Sequence, residues 1–262
     1  MTATTGYAVR LTVVGCSGSF PGPQSPASCY LLQAEHAGRT WSVVIDLGNG
    51  SLGVLQRHID PLALDAIVLT HLHADHFLDI CGLYVMQKYH PGDEPRLAIA
   101  VHGPADTPER VALAYYGRPS VPVPEFEFRP LLDGVAFHVG PFRFVPRRVE
   151  HPVEAYGFRV EVGGRVVAFT GDTDECPQLA DLLHGADLAL ADSAFVDGRD
   201  HAPGIHLSGS RAARAAVAAG GVRRLMLTHI PVWNDPEVCR AQAAAVWPDE
   251  VEIAHSGLVV EL

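Results

Sequence analysis

The sequence predicts an α/β protein, and three observations carry that prediction. Short runs rich in β-branched residues recur along the chain, helical patterns lie between them, and the 262 residues are 48% hydrophobic. That much apolar material suffices for one sizeable core, so a single domain over residues 1–262 is expected.

Strands are expected, in chain order, at VRLTVVG (9–15), WSVVIDLG (41–48), DAIVLT (65–70), RLAIAVHG (96–103), FRFVPRRV (142–149), YGFRVEV (156–162), RVVAFTGD (165–172), DLALADS (187–193), RRLMLTHI (223–230) and LVVEL (258–262). Helices are expected at 75–89, 107–116, 176–184, 208–219 and 236–246; the fourth opens on the N-cap candidate Ser208 and closes on Gly220. The proline-rich stretch RPSVPVPEFEFRPLLDG (118–134) runs into another strand pattern and is too short to separate domains. DAIVLTHLH and RRLMLTHI each pass from a charged residue through an apolar strand into Thr-His, a faint sign of two related halves.

Composition removes several classes. The formal charge is −11, and an acidic surface disfavours affinity built on many phosphate contacts, so a small molecule is a stronger candidate partner than nucleic acid. Of the 19 basic residues only Lys88 is a lysine, a bias that points to a GC-rich bacterial genome. The five cysteines are odd in number, scattered and without Cys-x-x-Cys spacing, which indicates neither a disulfide framework nor a thiolate zinc site. The N-terminus lacks a basic region followed by an apolar core, and no run approaches the ~20 apolar residues of a membrane span. A soluble, cytoplasmic protein is expected.

The residues just past the strand ends carry the chemistry. LTHLHADHF (69–77) places His71, His73, Asp75 and His76 within six positions; later strand ends deliver His151, Asp172, Asp192 and His229. Such ends can converge on one edge of a sheet, where α/β folds usually keep their sites. With nitrogen and oxygen donors only, His71, His73 and His151 suit one borderline metal ion, Asp75, His76 and His229 suit a second, and Asp172 is placed to bridge them. Zinc is expected, and manganese and iron accept the same donors. Two such ions ~3.5–4 Å apart polarise a phosphoryl or carbonyl oxygen and hold hydroxide near neutral pH. Taken singly, His151 and His229 read as ordinary strand-end residues and Asp172 as an Asx-turn residue. The cluster changes that reading, because three imidazoles and a carboxylate buried together without metal leave too many polar groups to satisfy.

The cluster at 71–76, the isolated His151, TGDT at 170–173 and LTHI at 227–230 together resemble the metallo-β-lactamase superfamily over nearly the whole chain. The resemblance implies an αββα sandwich, two mixed sheets face to face between helix layers, with a dinuclear site at one edge. Aspartate at 172, where β-lactamases usually present cysteine, argues against antibiotic hydrolysis. VVGCSGSFPGPQSPASCYLL (13–32), VVIDLGNG (43–50) and the histidine before the capped helix in GIHLSGSRAARAAVAAGGVRRLMLTHI (204–230) resemble the ribonuclease Z-like phosphodiesterase branch. That likeness implies an acidic residue paired with this histidine, here Asp192 with His206, as a general acid for a leaving alkoxide. The branch commonly has glutamate there, so the shorter Asp192 departs from the pattern. Asp75 is expected to orient the attacking water as well as to ligate.

Ribonuclease Z carries a long arm between the His151-type and Asp172-type positions, and HPVEAYGFRVEVGGRVVAFTGD has no room for one. The compact chain resembles the atypical cyclic-nucleotide phosphodiesterases of actinobacteria, which implies opening of 3′,5′-cyclic AMP or GMP to the 5′-nucleotide. RNA 3′-processing, lactone or ester hydrolysis, and metal binding without turnover are the alternatives. A homodimer is expected because related enzymes form them. Tyr84, Tyr89, Trp233 and Phe77 lie near the donors in sequence as candidates for stacking a purine or for core packing. GCSGSFPG (15–22) is not a serine-nucleophile elbow, since it lacks the final glycine and Pro21, Pro23 and Pro26 block a following helix. It is expected to border the site, with Ser17 or Gly18 as candidate phosphate contacts.

Overall fold

Among the described residues, alternating side chains along fourteen short strands build two stacked sheets. The computed structural model describes residues 9–92 and 96–262; the expectation of no export signal falls partly on residues 1–8, outside the described residues. The first sheet contains β1 (Val9–Gly15), β2 (Cys29–His36), β3 (Arg39–Ile45), β4 (Ala66–Val68), β5 (Ile99–Gly103), β6 (Phe126–Pro130) and β14 (Val259–Glu261), in the order β14-β1-β2-β3-β4-β5-β6. The second contains β7 (Phe137–Val139), β8 (Phe142–Arg148), β9 (Tyr156–Val162), β10 (Arg165–Phe169), β11 (Leu188–Asp192), β12 (Leu225–Thr228) and β13 (Val251–Ile253), in the order β13-β12-β11-β10-β9-β8-β7.

The helices are α1 (Ser51–Leu55), α2 (Ala74–Phe77), α3 (Ile80–Tyr89), α4 (Thr107–Tyr116), α5 (Gln178–Leu183), α6 (Gly209–Ala218) and α7 (Pro236–Ala244). Period-two alternation divides each strand between two cores. Val43, Ile45 and Val68 of the first sheet meet Phe144, Phe158, Leu190 and Met226 of the second in the central layer. Val44 and Ile67 point the other way, onto Leu55, Leu83 and Val111 of the first helix layer. Ala189, Leu225 and Leu227 do the same onto Leu182, Ala213 and Ala243 of the second. Covered on both faces, the parallel strands read as continuous apolar runs. The result is the αββα sandwich, each fully buried Leu or Phe contributing ~1.5–3 kcal/mol.

Small residues set the spacing of the outer helices. The Ser208 hydroxyl caps α6 by accepting from Arg211 N at 3.4 Å. A Cβ at Gly209 would lie 2.1 Å from the Cys239 carbonyl oxygen, so only glycine lets α6 approach α7 this closely. Among the described residues no helix is long and apolar enough to cross a membrane, and all five cysteines are free.

Several elements differ from the sequence pattern. The 75–89 helix divides into α2 and α3 around Leu78 and Asp79, where the Asp79 carboxylate accepts from Leu52 N at 2.8 Å and ties the break to α1. β6 lies inside the proline-rich stretch; its one proline, Pro130, is tolerated because β6 is an edge strand. β2, β7, β13 and α1 lie outside the expected elements, and β7 and β13 are three-residue edges. In each sheet three antiparallel pairings are followed by three parallel ones. By sheet position β4 therefore matches β11, and β12 matches β5. The two Thr-His stretches are not equivalents; the kinship of the halves lies in strand order.

Candidate metal centre

The predicted donors gather where the parallel strands end. Past β4, Thr70 makes the first anchor: its N–H donates to Asp46 Oδ1 at 2.8 Å and its hydroxyl lies 2.9 Å from the same oxygen. Asp46 is fully buried just past β3, in left-handed backbone at φ 62°. Its Oδ2 accepts from the Ser28 hydroxyl at 2.8 Å and from His76 Nδ1 at 2.7 Å. His73 then begins α2, whose single turn sets Asp75 and His76 side by side. A Cβ at Gly48 would fall 1.9 Å from the Asp75 carbonyl oxygen, so glycine is required where the loop after β3 passes this turn.

Two groups of donors form. In one, His73 Nδ1 lies 3.0 Å from His71 Nε2 and 3.1 Å from His151 Nε2. In the other, Asp172 Oδ2 lies 3.2 Å from His76 Nε2 and 3.0 Å from His229 Nε2, with Asp75 Oδ2 3.3 Å from His76 Nε2. Asp172 Oδ2 is also 3.8 Å from His71 Nε2, so this carboxylate stands between the groups. The structure thus brings together all seven residues predicted as ligands.

The donor chemistry fits divalent metal. His151 Nδ1 donates to the Ile205 carbonyl oxygen at 2.9 Å and His76 Nδ1 to Asp46, which turns both Nε2 atoms inward. Nitrogens ~3 Å apart match ligands ~2.0–2.1 Å from one shared ion. Burial holds His71 well below the usual histidine pKa, and lowers His73 and His151 too, keeping these imidazoles neutral as ligands must be. In the second group burial disfavours charge on His76, yet Asp172, Asp46 and Asp75 raise its pKa well above the ordinary value. His76 Nε2 has no hydrogen-bond partner among the described residues. A buried nitrogen facing two carboxylates calls for a cation between them.

Asp192 and His206 stand beside this set. His206 Nδ1 lies 2.8 Å from Asp192 Oδ2, and Asp192 also accepts from Thr173 N at 3.0 Å and Ala194 N at 3.1 Å. The shorter aspartate therefore reaches its histidine, because β11 ends on Asp192 itself. Burial lowers the His206 pKa, but Asp192 outweighs it and the value rises to about 9.

Asp174, which no sequence motif singles out, ties the loops together. Its Oδ2 accepts from Gly204 N at 2.8 Å, its Oδ1 pairs with Arg211 of α6, and its N–H donates to the Glu150 carbonyl at 2.8 Å. The chain before His151 and the loop carrying Ile205 and His206 thus share one anchor. Asp46 is a second residue outside the expected set; its only sequence signal is the aspartate ending VVID in VVIDLGNG. Three of the four non-glycine residues with positive φ among the described residues, Ser19, Asp46 and His229, lie here, as expected of backbone held in strain at a site.

Of the four aromatic candidates, Phe77 and Tyr84 take the core-packing role beneath the first sheet, whereas Tyr89 and Trp233 are exposed. The Ser17 hydroxyl donates to Phe20 O at 2.7 Å and Gly18 N to Ile230 O at 3.3 Å, so both groups serve the loop rather than a phosphate.

A sandwich of this topology with such a donor set defines a metal-dependent hydrolase of the metallo-β-lactamase fold. A family model described as a β-lactamase superfamily domain matches residues 42–230, and the chain belongs to that superfamily. An uncharacterized protein of Mycobacterium leprae is 43% identical over 253 residues, covering 95% of this chain and 87% of the relative. The probable metallo-hydrolase YhfI of Bacillus subtilis is 29% identical over 262 residues, covering 97% of this chain and 100% of YhfI. The YhfI crystal structure superposes with a TM-score of 0.85 at 27% identity, covering 98% of this chain and 100% of that one. Ribonuclease Z of Streptomyces avermitilis is 27% identical over 304 aligned positions, covering 96% of this chain and 97% of the relative.

Proposed function

We propose that the protein is a dinuclear metal-dependent phosphodiesterase opening small phosphodiesters, 3′,5′-cyclic AMP or GMP foremost, to the 5′-nucleotide. The observation that carries this reading is His206, held by Asp192 beside Asp172 at the edge of the donor set. A site that only stored metal would have no use for a positioned acid. A small substrate is supported by the interval from His151 to Asp172, which β9, β10 and the Gly163-Gly164 turn fill without an arm. The ribonuclease Z alignment runs over 304 positions, more than the 262 residues of this chain.

Ring opening breaks the P–O3′ bond as water oxygen adds to phosphorus. The departing O3′ is basic and takes its proton from His206, which Asp192 keeps protonated at neutral pH. Burial raises the Asp75 pKa, but His76 and His229 reverse this and hold it near 2. Asp75 is thus ionised and accepts a hydrogen bond from the attacking water, whose proton passes to solvent. Divalent ions bound by the two donor groups, zinc foremost, would supply Lewis-acid neutralisation of the phosphate and acidify that water.

A panel of 3′,5′-cyclic AMP and GMP, 2′,3′-cyclic nucleotides, precursor transfer RNA and an acyl lactone tests the reading on metal-loaded protein. The 3′,5′-cyclic nucleotides are expected to give the highest kcat/KM. Preference for precursor transfer RNA would replace the reading with RNA 3′-processing, which the ribonuclease Z likeness favours as the alternative. Turnover of the lactone alone would end the phosphodiester assignment.

A further inference from the structure

We propose that the backbone N–H of Ser19 is a further catalytic group, a donor to a non-bridging oxygen of the substrate phosphate that strengthens as charge builds there. The substrate class rests on the phosphodiesterase reading above. Ser17 and Gly18 spend their polar groups inside the loop or on the strand beside it; the residue after them does not.

The loop after β1 is pinned on both sides of Ser19. Ser17 N donates to Pro26 O at 3.1 Å, Gly18 N to Ile230 O at 3.3 Å, Phe20 N to Gly18 O at 2.7 Å and Gly22 N to Ser25 O at 2.8 Å. Phe20 also packs against Trp233, with ring centroids 4.9 Å apart. A Cβ at Gly18 would lie 2.2 Å from the His229 carbonyl oxygen, so only glycine there lets the loop lie against this ligand. Among these loop residues Ser19 alone turns its N–H toward the metal centre, where it points at His229 Nε2, 3.4 Å away. The turn that aims it is strained. The bond from Phe20 N to Gly18 O closes three residues around Ser19 at φ 64°, a tight turn that residues other than glycine rarely adopt.

His229 Nε2 is not the partner this N–H is built for. A ring nitrogen offers one hydrogen-bonding position, and Asp172 Oδ2 stands 3.0 Å from the same atom. A proton shared with Asp172, or a metal ion held between them, leaves no lone pair for Ser19. The N–H thus faces the second donor group with its capacity unspent, and Ser19 is exposed, so an incoming ligand reaches it. A donor aimed at a cation site is satisfied by an acceptor that arrives with the substrate. An ionised phosphodiester brings two non-bridging oxygens, and negative charge grows on them as water oxygen adds to phosphorus. A fixed amide dipole needs no reorganisation when that charge develops.

Exchanging the Ser19 amide for an ester, with lactic acid in place of Ser19, replaces the N–H by an oxygen; Ser19→Ala, which has the same side chain, is the reference. Against it the ester is expected to lower kcat/KM about 10²-fold on cyclic AMP and by the same factor on bis(p-nitrophenyl) phosphate. Both diesters carry the same pair of non-bridging oxygens, although only the first has a leaving group that needs a proton. A loss confined to cyclic AMP would place the N–H on the leaving-group side and overturn the proposal, as would an ester that matches Ser19→Ala on both substrates. Binding is read separately, without turnover: in zinc-loaded, isotope-labelled wild type, inorganic phosphate is expected to move the Ser19 amide proton downfield saturably. A Ser19 resonance that stays in place at saturating phosphate overturns the proposal even if the ester variant fails to fold. If phosphate moves Ser19 while wild type turns over no diester, the donor stands and the phosphodiesterase reading falls.

Discussion

Two buried carboxylates each hold an imidazole by Nδ1, Asp46 with His76 at 2.7 Å and Asp192 with His206 at 2.8 Å. The bond is the same, and the surroundings of Nε2 differ. His76 is fully buried and its Nε2 faces the carboxylates of Asp172 and Asp75. The His206 side chain keeps 12% exposure at the rim, among the rings of Phe195, His151 and His229. A carboxylate thus sets which nitrogen bears the proton, and the far side of the ring decides between ligand and acid.

The largest effect should come from the rim. His206→Ala is expected to lower turnover of a cyclic nucleotide ~10²–10⁴-fold while elemental analysis still finds two metals per chain. Its loss on bis(p-nitrophenyl) phosphate should be far smaller, because p-nitrophenolate departs without a proton. Equal losses on both would remove His206 from the acid role. The buried pair should answer in the opposite readout: Asp46→Asn is expected to weaken metal affinity ~10–100-fold, measured by chelator competition. Metal affinity at the wild-type value would show that His76 needs no such orientation.

A smaller effect is expected at the shared anchor. Asp174→Asn should lower turnover about tenfold, with the loss again concentrated on the substrate whose leaving group needs protonation. Uniform loss on both substrates would make Asp174 merely structural.

The smallest effect at neutral pH belongs to His102, a buried histidine whose ring makes no ion pair among the described residues. It stacks on Phe137 with centroids 4.1 Å apart, and burial pushes its pKa down to about 4. Between pH 6.5 and 4 the unfolded chain binds the proton that the folded chain refuses, so stability falls as pH falls through that window, by roughly 3 kcal/mol in all. His102→Phe should shift stability by only about 1 kcal/mol at pH 7 and flatten the acid limb, as read by denaturant melts at several pH values. An unchanged acid limb would assign it to other groups.

The donors were legible because six consecutive positions hold four of them, and no packed core tolerates that cluster without a cation. Asp192 was legible as a strand-end residue, but its pairing with His206 only through resemblance; the reach of the shorter aspartate depends on β11 ending at that residue. Asp46 and Asp174 were hidden because each acts through partners distant in the chain, Thr70 and His76 for one, Gly204 and Arg211 for the other. β7 and β13 were hidden for another reason: three-residue edge strands have too few positions to display an alternating pattern. β4 and the edge strand β14, also three residues long, were legible because each lies within a longer apolar run, DAIVLT and LVVEL.

The Ile205 carbonyl that orients His151 lies next to His206, so the acid and a metal ligand hang on one short piece of chain. Evolution therefore cannot retune the leaving-group side of this centre in isolation. Substitutions between 204 and 206 should be strongly epistatic with changes at His151.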